Sequence, residues 1–263
     1  MKKNTCVTKW DSVIFDMDGV LIDVSQSYNQ SIKHTVEHVL RVNFDITAII
    51  TQNDIAKVRA IPGFNNDWDL SYTLIQLFSK CAHLTAGQDQ RVMVPTTKVQ
   101  NSYEYLFIKD VFQSFYLGNS LFKKIYGRDA PISYKKGLIN NEQLLINVSV
   151  LQKLTKVYQL AIATGRPRYE ALFTLQYFGI TPKYILEKNV VALEDSPKMK
   201  PSPDPLLKAQ QCLAAHSSVY VGDTINDVLA AKKAMMSCIF VGRNDTAEYE
   251  IDNINEILQI LMK

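Results

Sequence analysis

The stretch that most constrains this chain is 12–23, SVIFDMDGVLID. Val13, Ile14 and Phe15 form an apolar run of strand-forming residues that ends on a carboxylate, which is how a strand buried on both faces reads. Asp16 and Asp18 follow two apart, with Gly19 straight after. Alternate residues at a strand end point the same way, so both carboxylates can face one cleft. Gly19 lets the chain turn there and lets the backbone approach a bound group closely. Paired aspartates after a strand also occur as a plain loop or a helix cap, so the rest of the chain has to decide between these readings.

The second half decides the architecture. Residues 144–157 read as a helix, and 159–164 (QLAIAT) as a short buried strand ending in Thr164 and Gly165. A helix over 169–178 stops at Gly179, and 190–193 is a further strand. Asp204 with Pro205 reads as N-cap and first turn of a helix reaching 213. A strand at 218–221 ends at Gly222 and Asp223, a helix covers 227–234, and 238–241 is the last strand. Ile254, Ile257, Leu258 and Leu261 predict a closing amphipathic helix. Strands alternating with helices imply an α/β fold with a doubly wound parallel sheet.

Between the first strand and this alternation the chain carries no clear strand. Helical spacing covers 25–40, with Ser25 as N-cap, then 46–61, 68–83, 103–116 and 120–126. The turn-rich segment PGFNNDWDL spans 62–70, and 85–102 reads as a polar loop. The expected organisation is a core of 1–23 plus 148–263 and a mostly helical insert, 24–147.

Composition bounds the function. The chain has 263 residues, 47% of them hydrophobic, enough for a sizeable core. A net charge of +3 is too small to argue for nucleic acid or a membrane surface as partner. The N-terminus has two lysines but no apolar run behind them, and no stretch approaches the roughly 20 apolar residues of a membrane span. Cys6, Cys81, Cys212 and Cys238 lie far apart without CxxC spacing, so reduced thiols in a cytoplasmic protein are expected. The expected state is a monomer or homodimer.

In doubly wound sheets ligands bind beyond the carboxyl ends of the strands. Those positions hold Asp16 and Asp18, Thr164 and Gly165, Lys200 in KMKPSPDP, and Asp223 with Asp227 in VGDTINDVLAA. Together they suit a phosphoryl group. A carboxylate attacks phosphorus, a second moves a proton, a hydroxyl and backbone amides hold phosphoryl oxygens, and a lysine offsets the charge. Clustered carboxylates repel unless a cation sits among them, and a few hard oxygen ligands suit Mg²⁺; Asp16, Asp18, Asp223 and Asp227 are the candidate ligands. Arg166 and Arg168, after the Thr–Gly turn, suit either a second anionic group of a substrate or a solvated helix start. Glu194 and Asp195 lie near the metal, orient the lysine or face water. Phe64, Asn65, Asn66, Asp67 and Trp68 read as a specificity loop or as a packed turn, and the aromatic stripe over 103–116 as core of the insert.

The order and spacing of DMDGV, ATG, the lysine of KMKP and GDTIND resemble the haloacid dehalogenase superfamily. The insert after the first motif resembles the cap of one large branch. The resemblance implies Asp16 as the nucleophile that forms an aspartyl-phosphate and Asp18 as general acid and base. It implies Met17 acting through its backbone N–H, Thr164 holding a phosphoryl oxygen, Lys200 neutralising charge, and Asp223 as metal ligand. Asp227 ligates directly, through water, or only orients its neighbours. Asp18 favours phosphatases and phosphomutases over the dehalogenases, which lack an acid there. Lys33 or Lys57 would be the amines of a phosphonate-cleaving relative, a reading that Asp18 opposes. The expected activity is Mg²⁺-dependent hydrolysis of a phosphate monoester, with a sugar phosphomutase or a non-catalytic phospho-switch as alternatives. The expected partner is a small phosphorylated metabolite, with a phosphoprotein as the other candidate. The insert, joined close to the catalytic turn, is expected to act as a closing lid carrying Asn66, Asp67 and Trp68 as substrate contacts.

Overall fold

The computed structural model describes residues 9–61, 66–81 and 102–262. Expectations that fall on Cys6, Phe64, Asn65, His83 and the polar stretch up to 101 lie outside them. The chain divides into two compact units, Met1–Asp23 with Gln143–Lys263, and Val24–Glu142. Residues 143–147, expected in the insert, thus belong to the first unit.

The first unit is built on six parallel strands in the order β5-β4-β1-β6-β7-β8. They are β1 (Ser12–Phe15), β4 (Gln159–Ala163), β5 (Val190–Val191), β6 (Ser218–Gly222), β7 (Ser237–Val241) and β8 (Tyr249–Ile251). The apolar run of β1 lies centrally between β4 and β6, in register with Ile14 opposite Ala161 and Tyr220. Those three, with Val191 and Phe240, share one core cluster with Leu206 and Ala209 of α7 (Asp204–Leu213) and Val228, Ala230 and Ala231 of α8 (Ile225–Lys233). Val13, Phe15, Ile162, Val219 and Val221, which alternate with them, are equally buried, so both faces of the sheet are covered. Full burial of a side chain such as Phe15 stabilises by roughly 1.5–3 kcal/mol. The remaining helices of the unit are α5 (Val148–Leu154), α6 (Arg168–Tyr177) and α9 (Leu258–Leu261), the last preceded by a 3₁₀ turn at Ile254–Glu256.

Three expectations need correction here. The sheet does not end at β7, because β8 adds a further parallel edge strand. Its three residues are too short to show a pattern. The helix expected over 144–157 is replaced at its start by β3 (Gln143–Leu144), which pairs antiparallel with β2 (Ile22–Asp23). This two-residue ladder ties the end of the first motif to the returning chain, and Leu145 N–H also donates to the Leu21 carbonyl, 2.9 Å. Asp204 is the first helical residue of α7 rather than its cap; Pro203 holds the cap position without a side-chain bond.

The second unit is helical: α1 (Tyr28–Phe44), α2 (Gln52–Arg59), α3 (Asp67–Cys81) and α4 (Tyr103–Tyr126). Ser27, not Ser25, occupies the cap position of α1, and its hydroxyl donates to the buried Glu142 carboxylate at 3.1 Å. Thr51 and Asp54 form a reciprocal capping box that starts α2 six residues later than the apolar spacing suggested. The aromatic stripe is core: Tyr28 stacks on Tyr116 with ring centroids 4.5 Å apart, and Tyr116 donates to Glu142 at 2.9 Å. Gly118 breaks α4 with φ of 71°; a Cβ there would lie 2.4 Å from the Gly137 backbone nitrogen, so only glycine fits. No helix among the described residues is long and apolar enough to cross a membrane.

Candidate active site

The site assembles from strand ends of the first unit. Asp16 follows the last residue of β1, and its N–H donates to the Val221 carbonyl of β6 at 2.8 Å, so the sheet fixes its backbone. Thr164 follows β4 and donates its N–H to the Val191 carbonyl at 2.9 Å. Asp223 follows β6, and Asp227 is the third residue of α8. Oxygens of Asp16, Asp223 and Asp227 lie within 4.8 Å of one another.

One cation of the chain already touches this triplet. Lys200 Nζ lies 2.8 Å from Asp16 Oδ1 and 2.7 Å from Asp227 Oδ1. Burial works against its ammonium, but the carboxylates of Asp16 and Asp227 outweigh it and hold the pKa above the ordinary value. Asp227 is wholly buried and uses both oxygens. Oδ1 accepts from Lys200 and from Tyr220 Oη at 2.8 Å, and Oδ2 accepts from Thr224 N–H and hydroxyl at 3.0 and 2.5 Å. Burial opposes its ionisation, but Lys200 and these bonds prevail and hold its pKa below the ordinary value.

The other two carboxylates are less well served. Burial first, then the neighbouring carboxylates, push Asp223 up to about 8, and burial pushes Asp16 up to about 7. Oδ1 of Asp223 is buried without a hydrogen-bond partner. A buried unpartnered carboxylate oxygen beside a second strained carboxylate calls for positive charge beyond what Lys200 supplies. These hard oxygen donors fit a small divalent cation, which Asp16 and Asp223 would hold while Asp227 holds Lys200.

Asp18 stands apart from the triplet. Its Oδ1 takes Nε of Arg166 at 2.7 Å and Nη2 of Arg166 at 2.5 Å. Arg166 is thereby turned to a carboxylate of its own chain. Arg168 pairs with Asp195 and donates to the Val190 carbonyl, while Glu194 accepts from the Arg168 N–H at 2.8 Å. Glu194 and Asp195 thus organise Arg168 rather than Lys200. Met17 is fully buried, and its carbonyl accepts from Leu21 and Ile22 N–H, closing the turn after β1. The Thr164 hydroxyl accepts from the Arg166 N–H at 3.2 Å, and a Cβ at Gly165 would come 3.1 Å from Met199 Cε.

In the second unit, the Asn66 side chain accepts from Trp68 N–H at 2.8 Å at the start of α3. Asp67 pairs with Arg59 at 2.8 Å, and Lys109 Nζ lies 3.7 Å from the centroid of the Trp68 ring. Each of the three therefore has a partner within its own unit.

Sequence reasoning did not find Tyr220, whose hydroxyl bonds both Lys200 and Asp227. A tyrosine inside an apolar strand with a lysine and an aspartate at neighbouring strand ends was the available signal. The Thr224–Asp227 capping box was readable as T-x-x-D before an apolar run.

Comparison with known proteins identifies the family. The family model for "haloacid dehalogenase-like hydrolase" matches residues 10–234. A Phytophthora nicotianae protein named imidazoleglycerol-phosphate dehydratase is 30% identical over 230 residues, covering 85% of this chain but only 41% of that protein. A putative pyrophosphatase PpaX of Caldanaerobacter subterraneus is 24% identical over 264 residues, covering 96% and 95%. The solved phosphatase Tt82 of Thermococcus thioreducens superposes with a TM-score of 0.69 at 25% identity, covering 94% of this chain and 97% of that one. The chain thus spans well under half of the first relative and nearly all of the other two. With its parallel sheet, its helical insertion after the first motif and the family match over most of its length, this chain belongs to the haloacid dehalogenase-like hydrolases.

Proposed function

We propose that this chain is a Mg²⁺-dependent phosphatase of small phosphate monoesters, working through a phosphoryl group carried on Asp16. The observation that carries the reading is Asp16 itself: a buried carboxylate at the end of the central strand, 2.8 Å from Lys200 Nζ and grouped with Asp223 and Asp227.

The chemistry divides into two displacements. An Asp16 carboxylate oxygen attacks phosphorus, the bond from phosphorus to the leaving oxygen breaks, and Asp18 gives that oxygen its proton. Asp18 then takes a proton from water, whose oxygen attacks the same phosphorus, and the bond to Asp16 breaks to release inorganic phosphate. Lys200 offsets the charge of nucleophile and phosphoryl group, and the Thr164 hydroxyl with the backbone N–H groups after Asp16 holds phosphoryl oxygens. Mg²⁺ held by Asp16 and Asp223 would supply charge stabilisation of the phosphoryl oxygens.

The relatives' names point to small organic or inorganic phosphates as the substrate class. A panel of phosphoglycolate, pyrophosphate, imidazoleglycerol phosphate, sugar phosphates and phosphopeptides, read by phosphate release with Mg²⁺, tests this. Release from one or more small phosphates, abolished by Asp16→Asn, supports the reading. Conversion of a sugar monophosphate to its isomer without phosphate release would support the mutase alternative.

A further inference from the structure

The geometry points to Arg166 as the positioning residue that divides the labour of the two aspartates, holding Asp18 off the metal-binding carboxylates and aiming it at the leaving group. The inference rests on the proposed role of Asp18 as general acid and adds the residue that sets its orientation.

Arg166 is pinned on every side. Its N–H donates to Thr164 Oγ1 at 3.2 Å, its carbonyl accepts from Leu193 N–H at 2.8 Å, and its Nη1 donates to Thr174 Oγ1 of α6 at 3.1 Å. The side chain is 1% exposed, whereas the Asp18 side chain it grips is 32% exposed. A fixed guanidinium thus reaches from the interior to a carboxylate open to solvent, and the buried partner sets the direction of the exposed one. Nε donates to Oδ1 and the charge of Nη2 lies 2.5 Å from the same oxygen, so the grip leaves Oδ2 to carry a proton to and from substrate. Without that grip, a carboxylate two residues from Asp16 is free to turn toward the cation site and be spent there as another ligand. The contact through which Arg166 reaches the site is the one to Asp18. A lysine cannot replace it, since one ammonium nitrogen cannot stand in both places that the guanidinium fills, Nη1 on Thr174 Oγ1 and Nε on Asp18 Oδ1.

The test uses Mg²⁺-loaded enzyme and a series of aryl phosphates from 4-nitrophenyl to phenyl phosphate, whose leaving groups need progressively more protonation. kcat/KM reports events through the first phosphoryl transfer. Arg166→Lys is expected to lose on the order of 10²-fold in kcat/KM on phenyl phosphate and only about threefold or less on 4-nitrophenyl phosphate, the pattern of a misdirected acid. Asp18→Asn should steepen the same dependence, and adding Arg166→Lys to Asp18→Asn should steepen it no further. Equal losses across the series in Arg166→Lys, or additive losses in the double variant, would overturn the positioning role. A flat dependence in Asp18→Asn would instead overturn the acid assignment itself. Should Arg166→Lys fail to fold, Arg166→Gln and Thr174→Val carry the same test, and a wild-type dependence in both contradicts the inference.

Discussion

A Cβ added to Gly19 would lie 1.9 Å from Oδ2 of Asp223. The turn that follows β1 and the carboxylate that follows β6 are therefore packed backbone against side chain, with no room between them. Gly19 also sits at φ of 73°, where a side chain is strained. Gly19→Ala is expected to displace Asp223, reducing kcat/KM by at least about tenfold and stability by roughly 1–3 kcal/mol from the backbone strain alone. Steady-state kinetics and urea unfolding measure the two effects. Native kinetics in this variant would show that Asp223 is not held as described.

Lys200 contacts Asp16 and bridges to Asp227 behind it. Lys200→Met should destabilise by about 3–5 kcal/mol, because it leaves buried carboxylates facing one another. Tyr220→Phe removes one bond to the same Asp227 oxygen and should cost only about 1 kcal/mol. Chemical denaturation of both variants at neutral pH checks the ranking, and equal losses would contradict it.

The raised pKa values of Asp16 and Asp223 fix a sign for stability against pH. An acid held higher in the folded state than its ordinary 3.8 keeps its proton while the unfolded chain has lost it. The folded state then binds more protons, and stability falls as pH rises from near 4 toward the folded values of about 7 and about 8. Metal-free protein should therefore lose stability between these limits, and Asp223→Asn should flatten the fall. Added Mg²⁺ should restore stability most at the alkaline end, where both carboxylates are ionised. Differential scanning calorimetry across pH, with and without Mg²⁺, reads all three, and a Mg²⁺ effect confined to the acid end would contradict the ligand assignment.

In the helical unit, Gly118→Ala should destabilise without any direct effect on the site. A Cβ there meets Gly137 at 2.4 Å and must open the packing between α4 and the chain that follows it. A loss of Tm with unchanged Mg²⁺ affinity is the expected outcome of calorimetry and titration.

How much of this was legible in the sequence depended on the range of the interactions. The central strand Val13 to Phe15, the carboxylates at strand ends and the alternation that makes the sheet parallel are local patterns, readable from hydrophobic period and turn residues. β8 and the β2–β3 ladder were not, because two or three residues carry no period and exist only through a partner distant in sequence. The same limit applied to side chains. Arg166 was visible as a cation beside the Thr–Gly turn, but its choice of Asp18, 148 positions away, is set by the parallel register of β1 and β4. Tyr220 read as one more apolar strand residue because nothing local distinguishes a core hydroxyl from one that bonds Lys200 and Asp227.

The central claim is that Asp16 carries the phosphoryl group. Asp18→Asn enzyme, mixed with Mg²⁺ and radiolabelled acetyl phosphate and quenched in acid within milliseconds to seconds, tests it directly. Acetyl phosphate has a leaving group that needs little protonation, so the first transfer should proceed, while loss of the base should stall the second. We expect label on the peptide containing Asp16, sensitive to hydroxylamine as an acyl phosphate is, and absent when Asp16 is also changed to Asn. Label on another residue, or undiminished turnover by Asp16→Asn alone, would contradict the account.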